Sequence, residues 1–147
     1  MNIIFGVHTD SVGVMLGELY IKNTGYPVSG AFSAMGVIRD NKIIGQILFQ
    51  NYTGANVDMH LYTPGCFSKN IINLVYSYMF NELSCKRVTA KVLPTNEKLL
   101  QLLPRLGFVY EYTQEQYYNI DGDIYDVLNY KLTKNNIPKW VNINGRV

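Results

Sequence analysis

Four polar side chains alternate along one short segment: Asn56, Asp58, His60 and Tyr62, interleaved with Val57, Met59 and Leu61. Successive side chains of a strand point to opposite faces, so this pattern gathers an amide, a carboxylate, an imidazole and a phenol on one face. These types carry general acid–base chemistry. An imidazole accepts a proton near neutrality without any perturbation. A carboxylate such as Asp58 does so only when burial raises its pKa. The competing reading is a solvated strand face. Immediately downstream, Cys66 stands near the start of a predicted helix, where the dipole would lower a thiol pKa. No His or Asn partner is placed beside it, so it reads as a small buried thiol. His8 likewise has no evident partner. Two cysteines, Cys66 and Cys85, are too few for a disulfide framework, and no Cys/His spacing suits zinc.

These residues need a scaffold, and the hydrophobic periods supply one. Residues 2–7 read as a strand. Val12, Met15, Leu16, Leu19 and Tyr20 fall at helical spacing over 9–20, with Asp10 or Thr9 as cap; Gly13 and Gly17 weaken that helix by roughly 1 kcal/mol each. Residues 22–33 read as a Gly/Pro-punctuated loop. Three strands follow, 34–39, 42–52 and 56–62, joined by Asp40-Asn41 and Thr53-Gly54 turns into an antiparallel meander. The period then changes to helical from Phe67 to near Leu83. A near-continuous apolar strand occupies 87–93, as expected where both sheet faces are covered. Asn96 caps a helix with Leu99, Leu102, Leu103 and Leu106 as its buried stripe, and Gly107 stops it. Two last strands, 108–112 and 124–132, flank an Asp121-Gly122 turn. The order is β-α-β-β-β-α-β-α-β-β, and 56–93 makes a right-handed βαβ unit. One domain over 1–134 is expected, followed by a polar, loosely ordered tail over 135–147 that Trp140 anchors on the domain.

Within this order, Arg-Val-x-Ala-x-Val-x-x-x-Asn over 87–96 and Leu-Gly-Phe-x-x-Glu over 106–111 resemble the C-terminal half of GNAT-type N-acetyltransferases. The element order extends the resemblance over nearly the whole chain. It implies an α/β fold: a mixed, mostly antiparallel sheet with helices on both faces and a cleft for acetyl-CoA. It further implies that the loop before the central helix binds the coenzyme's pyrophosphate through backbone N–H groups and the positive helix end, at Gly65, Cys66, Phe67, Ser68 and Lys69. The family pattern there is Arg/Gln-x-x-Gly-x-Gly/Ala. Here Cys66 and Ser68 take the glycine positions and Thr63 the basic one. Leu61 and Tyr62 would line the acyl arm, and Asn96 would lie near the coenzyme while also serving as a cap. His60, ahead of Asp58, would take the amine proton. The family's thiolate-protonating tyrosine corresponds to Leu103, which has no proton to give, so either the thiolate leaves unassisted, another group such as Tyr110 or Tyr62 serves, or the protein does not catalyse transfer. Pro104 should kink or end its helix beside the groove.

Composition narrows the function classes. A net charge of +2 with scattered basic residues lacks the dense stripe of a nucleic-acid binder. No apolar run approaches the ~20 residues of a membrane helix, and the first residues carry no signal-peptide pattern. A cytoplasmic protein is expected. Tyrosine is abundant, at twelve residues, half of them beyond Gly107. Strand propensity accounts for this, and a contact surface is the other reading. The leading expectation is direct transfer of an acetyl group from acetyl-CoA to an amine on a small molecule or protein. The C-terminal block resembles compact acetyltransferases of bacteria and phages; the alternative is a GNAT-like protein without catalysis, similar to phage proteins that resemble GNAT domains in a degenerate way. It would act by contact through its tyrosine-rich C-terminal third, with a homodimer or a protein partner.

Overall fold

The computed structural model describes residues 1–65 and 68–143. Cys66 and Phe67, two of the expected coenzyme-loop residues, lie outside the described residues. Strand β1 (Asn2–Val7) leads into helix α1 (Ser11–Thr24). Asp10 caps this helix, its two carboxylate oxygens accepting from the amides of Gly13 at 2.7 Å and Val7 at 3.0 Å. Gly13, a weak helix former, is required by close approach: a Cβ there would stand 1.8 Å from the carbonyl oxygen of Val7. The helix runs one turn past the expected end and is closed by Gly25 in the left-handed region, at φ 75°.

The meander follows as β2 (Phe32–Arg39), β3 (Lys42–Gln50) and β4 (Asn56–Tyr62). Helix α2 (Lys69–Ser77) continues as a π-helical turn over Tyr78–Glu82, with the Leu83 amide reaching the Tyr78 carbonyl. Strand β5 (Arg87–Val92), helix α3 (Glu97–Arg105), and strands β6 (Val109–Ile120) and β7 (Asp123–Thr133) complete the fold. Pro104 sits in the last turn of α3, which ends one residue later. Gly107 then adopts φ 94°.

All seven strands form one sheet in the order β1-β2-β3-β4-β5-β7-β6. Only β4 and β5 pair in parallel; the other pairs are antiparallel. This is the mixed, mostly antiparallel α/β sheet that the sequence leads one to expect. Helix α1 covers one face, its Leu16 and Tyr20 packing with Ala34 of β2 and Leu48 of β3. The larger core lies on the other face, where Val57, Met59, Val88 and Ala90 meet Ile71, Val75 and Met79 of α2 and Leu103 and Leu106 of α3.

Two expectations change. The β6–β7 hairpin is far longer than 108–112 and 124–132, turning through Asp121 (φ 53°) and Gly122 (φ 90°). Strand β6 lies at the sheet edge and is exposed at eight of its twelve positions, so it carries no buried alternation to mark it. The polar segment after Thr133 is also not loose where it is described. Ile137, Val141 and Ile143 are buried in the main core, and the Asn142 amide donates to Asn73 of α2 at 2.8 Å. These residues, not Trp140, anchor it; Trp140 is 42% exposed.

Candidate active site

Strands β4 and β5 pair only at Asn56–Arg87, Val57–Val88 and Asp58–Thr89. Both continue, β4 to Tyr62 and β5 to Val92, without further pairing between them. Beyond Asp58 and Thr89 the two strands therefore part into a V. His60 on one limb and Lys91 on the other stand two residues past the last pair, on the sheet face that α1 partly covers.

The polar face of β4 is as the alternation requires. Asp58 is 7% exposed, and its two oxygens accept from the amides of Asn51 at 3.0 Å and Asn56 at 3.1 Å. Thr89 donates to the Asn56 oxygen at 2.7 Å, tying the limbs together at the apex. His60 is half-buried against the Tyr20 ring, with centroids 6.2 Å apart. Its Nε2 is sealed from solvent and has no hydrogen-bond partner among the described residues. Burial holds its pKa below the usual histidine range; Asp58 opposes this and the Lys91 cation adds to it. The imidazole is thus biased toward its neutral form. Lys91 donates to Asn129 at 2.7 Å and Gln114 at 3.1 Å and lies 5.1 Å from the centre of the Tyr117 ring.

A groove of about 920 Å³ opens at the mouth of the V. One wall is Asn23, Thr24 and Tyr26 at the end of α1; the floor is Leu61 to Gly65; the far wall is Asn96 and the face of α3 bearing Lys98, Gln101, Leu102 and Arg105. Asn96 caps α3, its Oδ1 accepting from the Leu99 amide at 3.3 Å. That fixes the amide so that its Nδ2 is the group facing the Tyr26 hydroxyl. Burial raises the Tyr26 pKa and Asn96 partly offsets the rise. The Tyr26 ring also lies parallel to Tyr118, with centroids 6.2 Å apart, bringing the long hairpin to the groove's rim. Burial pushes Tyr118 up to about 12. A smaller cleft of about 420 Å³ adjoins, lined by Ser68, Lys69, Ile72, Leu102, Arg105, Leu106 and Trp140.

The expected site residues thus fall into three groups. Leu61, Tyr62, Gly65 and Asn96 line the groove, with Ser68 and Lys69 in the adjoining cleft. Ser68 has a structural reason to be there: its hydroxyl caps α2, accepting from the Ile71 amide at 3.2 Å. His60 and Asp58 sit together just behind the groove floor. Tyr110 is not brought to them. It lies on β6, three strands from β4, where it pairs with Tyr130 of β7, 54% exposed on the opposite sheet face, with its hydroxyl on Thr113 at 2.8 Å. Leu103 does not face the groove either; it is fully buried in the core. Sequence reading did not single out Tyr26, Lys91 or Arg105. For Arg105 a signal existed, because Lys98, Gln101, Leu102 and Arg105 recur at the spacing of one helix face.

Neither a family model nor any curated protein matches the sequence. Solved structures do. A chimera of the Vibrio cholerae spermidine N-acetyltransferase SpeG and hSSAT superposes with a TM-score of 0.70 over 97% of this chain and 100% of its own, at 16% identity. A mutant form of the Vibrio cholerae spermidine/spermine N-acetyltransferase SpeG gives 0.72 over 90% and 94%, also at 16% identity. This chain has the GNAT acetyltransferase fold. A GNAT-family acetyltransferase from Bacillus anthracis matches at 0.57 over 71% of this chain and 66% of its own, with 17% identity. The GNAT resemblance carried by residues 87–111 therefore holds at the level of architecture.

Proposed function

We propose that this GNAT-fold chain transfers an acetyl group from acetyl-CoA to an amine by direct attack in a ternary complex. The observation that carries the proposal is the placement of His60. An imidazole biased toward its neutral form, its Nε2 without a partner among the described residues, stands on one limb of the opened V beside the groove of about 920 Å³.

In this reading the thioester lies between the limbs at the groove's inner end. The pyrophosphate runs toward Gly65, Ser68 and Lys69, with Lys98 and Arg105 supplying charge from α3. The amine nitrogen forms a bond to the acetyl carbon as the carbon–sulfur bond breaks. His60 takes the amine proton, directly or through one water. Asp58 is the weaker base because both its oxygens already accept from asparagine amides. The departing thiolate needs a proton, and α3 bears no hydroxyl. Tyr26 and Tyr62 are the phenols lining the groove. Tyr26 is the better placed: its oxygen faces the Asn96 amide, leaving its own hydrogen to donate. Proton exchange with solvent then resets His60 and Tyr26. No helix among the described residues is long and apolar enough to cross a membrane, and the reading puts the reaction in the cytoplasm, where acetyl-CoA is available.

The test is thiol release from acetyl-CoA by the purified chain with an amine panel headed by spermidine, the substrate named for two of its structural neighbours. Amine-dependent release supports the proposal. Absence of release together with absence of coenzyme binding contradicts it. The second reading, contact without catalysis, is favoured by one observation: Tyr110, Tyr112 and Tyr117 lie exposed along the edge strand β6. It predicts that inert outcome together with a stable partner or dimer.

A further inference from the structure

Lys91, on the limb of the V opposite His60, is half-buried and has no ion-pair partner among the described residues. An ammonium has three hydrogens to donate. Two go to neutral oxygens, Oδ1 of Asn129 at 2.7 Å and Oε1 of Gln114 at 3.1 Å. Asn129 is fully buried and donates to that same Gln114 oxygen at 3.0 Å, so the two acceptors are fixed relative to each other. The third hydrogen has no acceptor among the described residues. Burial holds the Lys91 pKa below the usual lysine range, and Asp58 opposes this. A cation taken out of water without a counter-ion is costly, and an arriving anion relieves that cost. The same surroundings do not suit a second cation. The Tyr117 ring, whose face could hold an ammonium, already has the Lys91 Nζ 5.1 Å from its centre. Both oxygens of Asp58 accept from asparagine amides, and Glu111 is engaged by Arg87 and Lys131. A polycationic acceptor would meet the Lys91 charge while both of these carboxylates are already engaged.

We propose that Lys91 selects the acceptor, and that the acceptor is an amine bearing its own anion, a carboxylate or a phosphate, a few bonds from the nitrogen. This rests on the acetyl-CoA reading and narrows its amine. The acceptor's anion takes the third Lys91 hydrogen in a charge-assisted bond, which directs the amine toward His60 on the facing limb. Lys91 orients the acceptor and exchanges no proton; bond making and proton transfer are those given above. The chain thus departs from the spermidine named for its structural neighbours.

Thiol release by the full chain at saturating acetyl-CoA tests this, with each α-amino acid assayed beside its own α-amide, and aminoethyl phosphate beside ethanolamine. Side-chain fit cancels within a pair, and the anion is the difference. An α-amide has the less basic amine and so more of it unprotonated, which means that a preference for the acid reports recognition. The pH is held about two units above the ordinary histidine value of about 6.5, so that the effect of Lys91 on His60 does not enter. At least one anionic acceptor is expected to exceed its neutral partner in kcat/KM by about tenfold or more, the range of one charge-assisted hydrogen bond, chiefly through KM, and to exceed spermidine. The carboxylate and phosphate arms tell which anion is read. Lys91→Met should erase that preference, and Lys91→Arg, which keeps the cation, should retain part of it. The wild-type ratios decide even if Lys91→Met fails to fold. Neutral amines or spermidine used as well as every anionic acceptor, or a preference that survives Lys91→Met, would overturn the assignment and leave the acetyl-CoA reading standing. If no acceptor releases thiol, the assignment falls, and the acetyl-CoA reading falls with it where calorimetry also detects no coenzyme.

Discussion

His60 and Lys91 face each other across the parted strands β4 and β5, each two residues beyond the last paired residues, Asp58 and Thr89. The imidazole therefore titrates in the field of a fixed cation, which Gln114 and Asn129 hold in place. Burial and Lys91 both lower its pKa, and Asp58 pulls the other way. The relationship favours the neutral form of the His60 imidazole to below the usual histidine range.

Lys91→Met tests that relationship through the pH profile. Removing the cation leaves Asp58 unopposed, so the His60 pKa must rise. Because the base works in its neutral form, kcat/KM should fall at the acid side of the profile, and that limb should move to higher pH in the variant. An unmoved limb would separate Lys91 from the base.

Replacing the base itself has a larger effect. His60→Ala should lower kcat by at least about tenfold, in line with the loss of a general base, while leaving the coenzyme dissociation constant nearly unchanged. In the intact protein, activity should be lost only as pH falls below the ordinary histidine value of about 6.5, since the shift is downward. Unchanged turnover in the variant removes His60 from the reaction.

For the proton donor, Tyr26→Phe keeps the ring and its parallel neighbour Tyr118 but deletes the hydroxyl. Turnover with acetyl-CoA should drop by about a hundredfold, within the range for general acid catalysis. A thioester of a more acidic thiol needs less help in departing, so the deficit should shrink with such a donor. Tyr62→Phe is the control; a larger loss there would transfer the role to Tyr62.

Gly13 tests how α1 is seated on β1 rather than the chemistry. A Cβ at this position would collide with the Val7 carbonyl oxygen at 1.8 Å, and backbone cannot yield cheaply. Gly13→Ala, although a better helix former, should therefore destabilise the chain by about 2 kcal/mol in denaturant unfolding. A stabilised variant would show that the helix rides farther from the strand.

Much of the scaffold was legible because its rules are local. Alternation marked β4, with the helical stripes, Asn96 and Gly107 marking the rest, and the structure keeps those elements with small changes at their ends. The motif over 87–111 also has a physical content that spacing alone did not reveal. Arg87 and Glu111 meet in a bidentate pair across β7, at 3.0 and 2.6 Å, with Lys131 3.9 Å from the same carboxylate. Part of the signature thus locks β5, β7 and β6 together and touches no groove. What stayed hidden depends on long-range geometry. Tyr26 lay in a loop, and only the fold carries it to Asn96. Lys91 looked like one polar residue in an apolar strand until the V placed it opposite His60. Tyr110 was drawn to the site by residue type, and the strand order β4-β5-β7-β6 puts it three strands from His60. Trp140 read as an anchor because tryptophan is usually buried, whereas Ile137 and Val141 do the anchoring.

The central claim is that the groove between α1, the end of β4 and α3 holds acetyl-CoA. Calorimetric titration of the purified chain with acetyl-CoA, with free coenzyme A as comparison, tests it most directly. The account predicts saturable one-to-one binding with a dissociation constant in the micromolar range. Absence of heat at millimolar ligand, from a chain that unfolds cooperatively, would contradict it and leave the contact-only reading in its place.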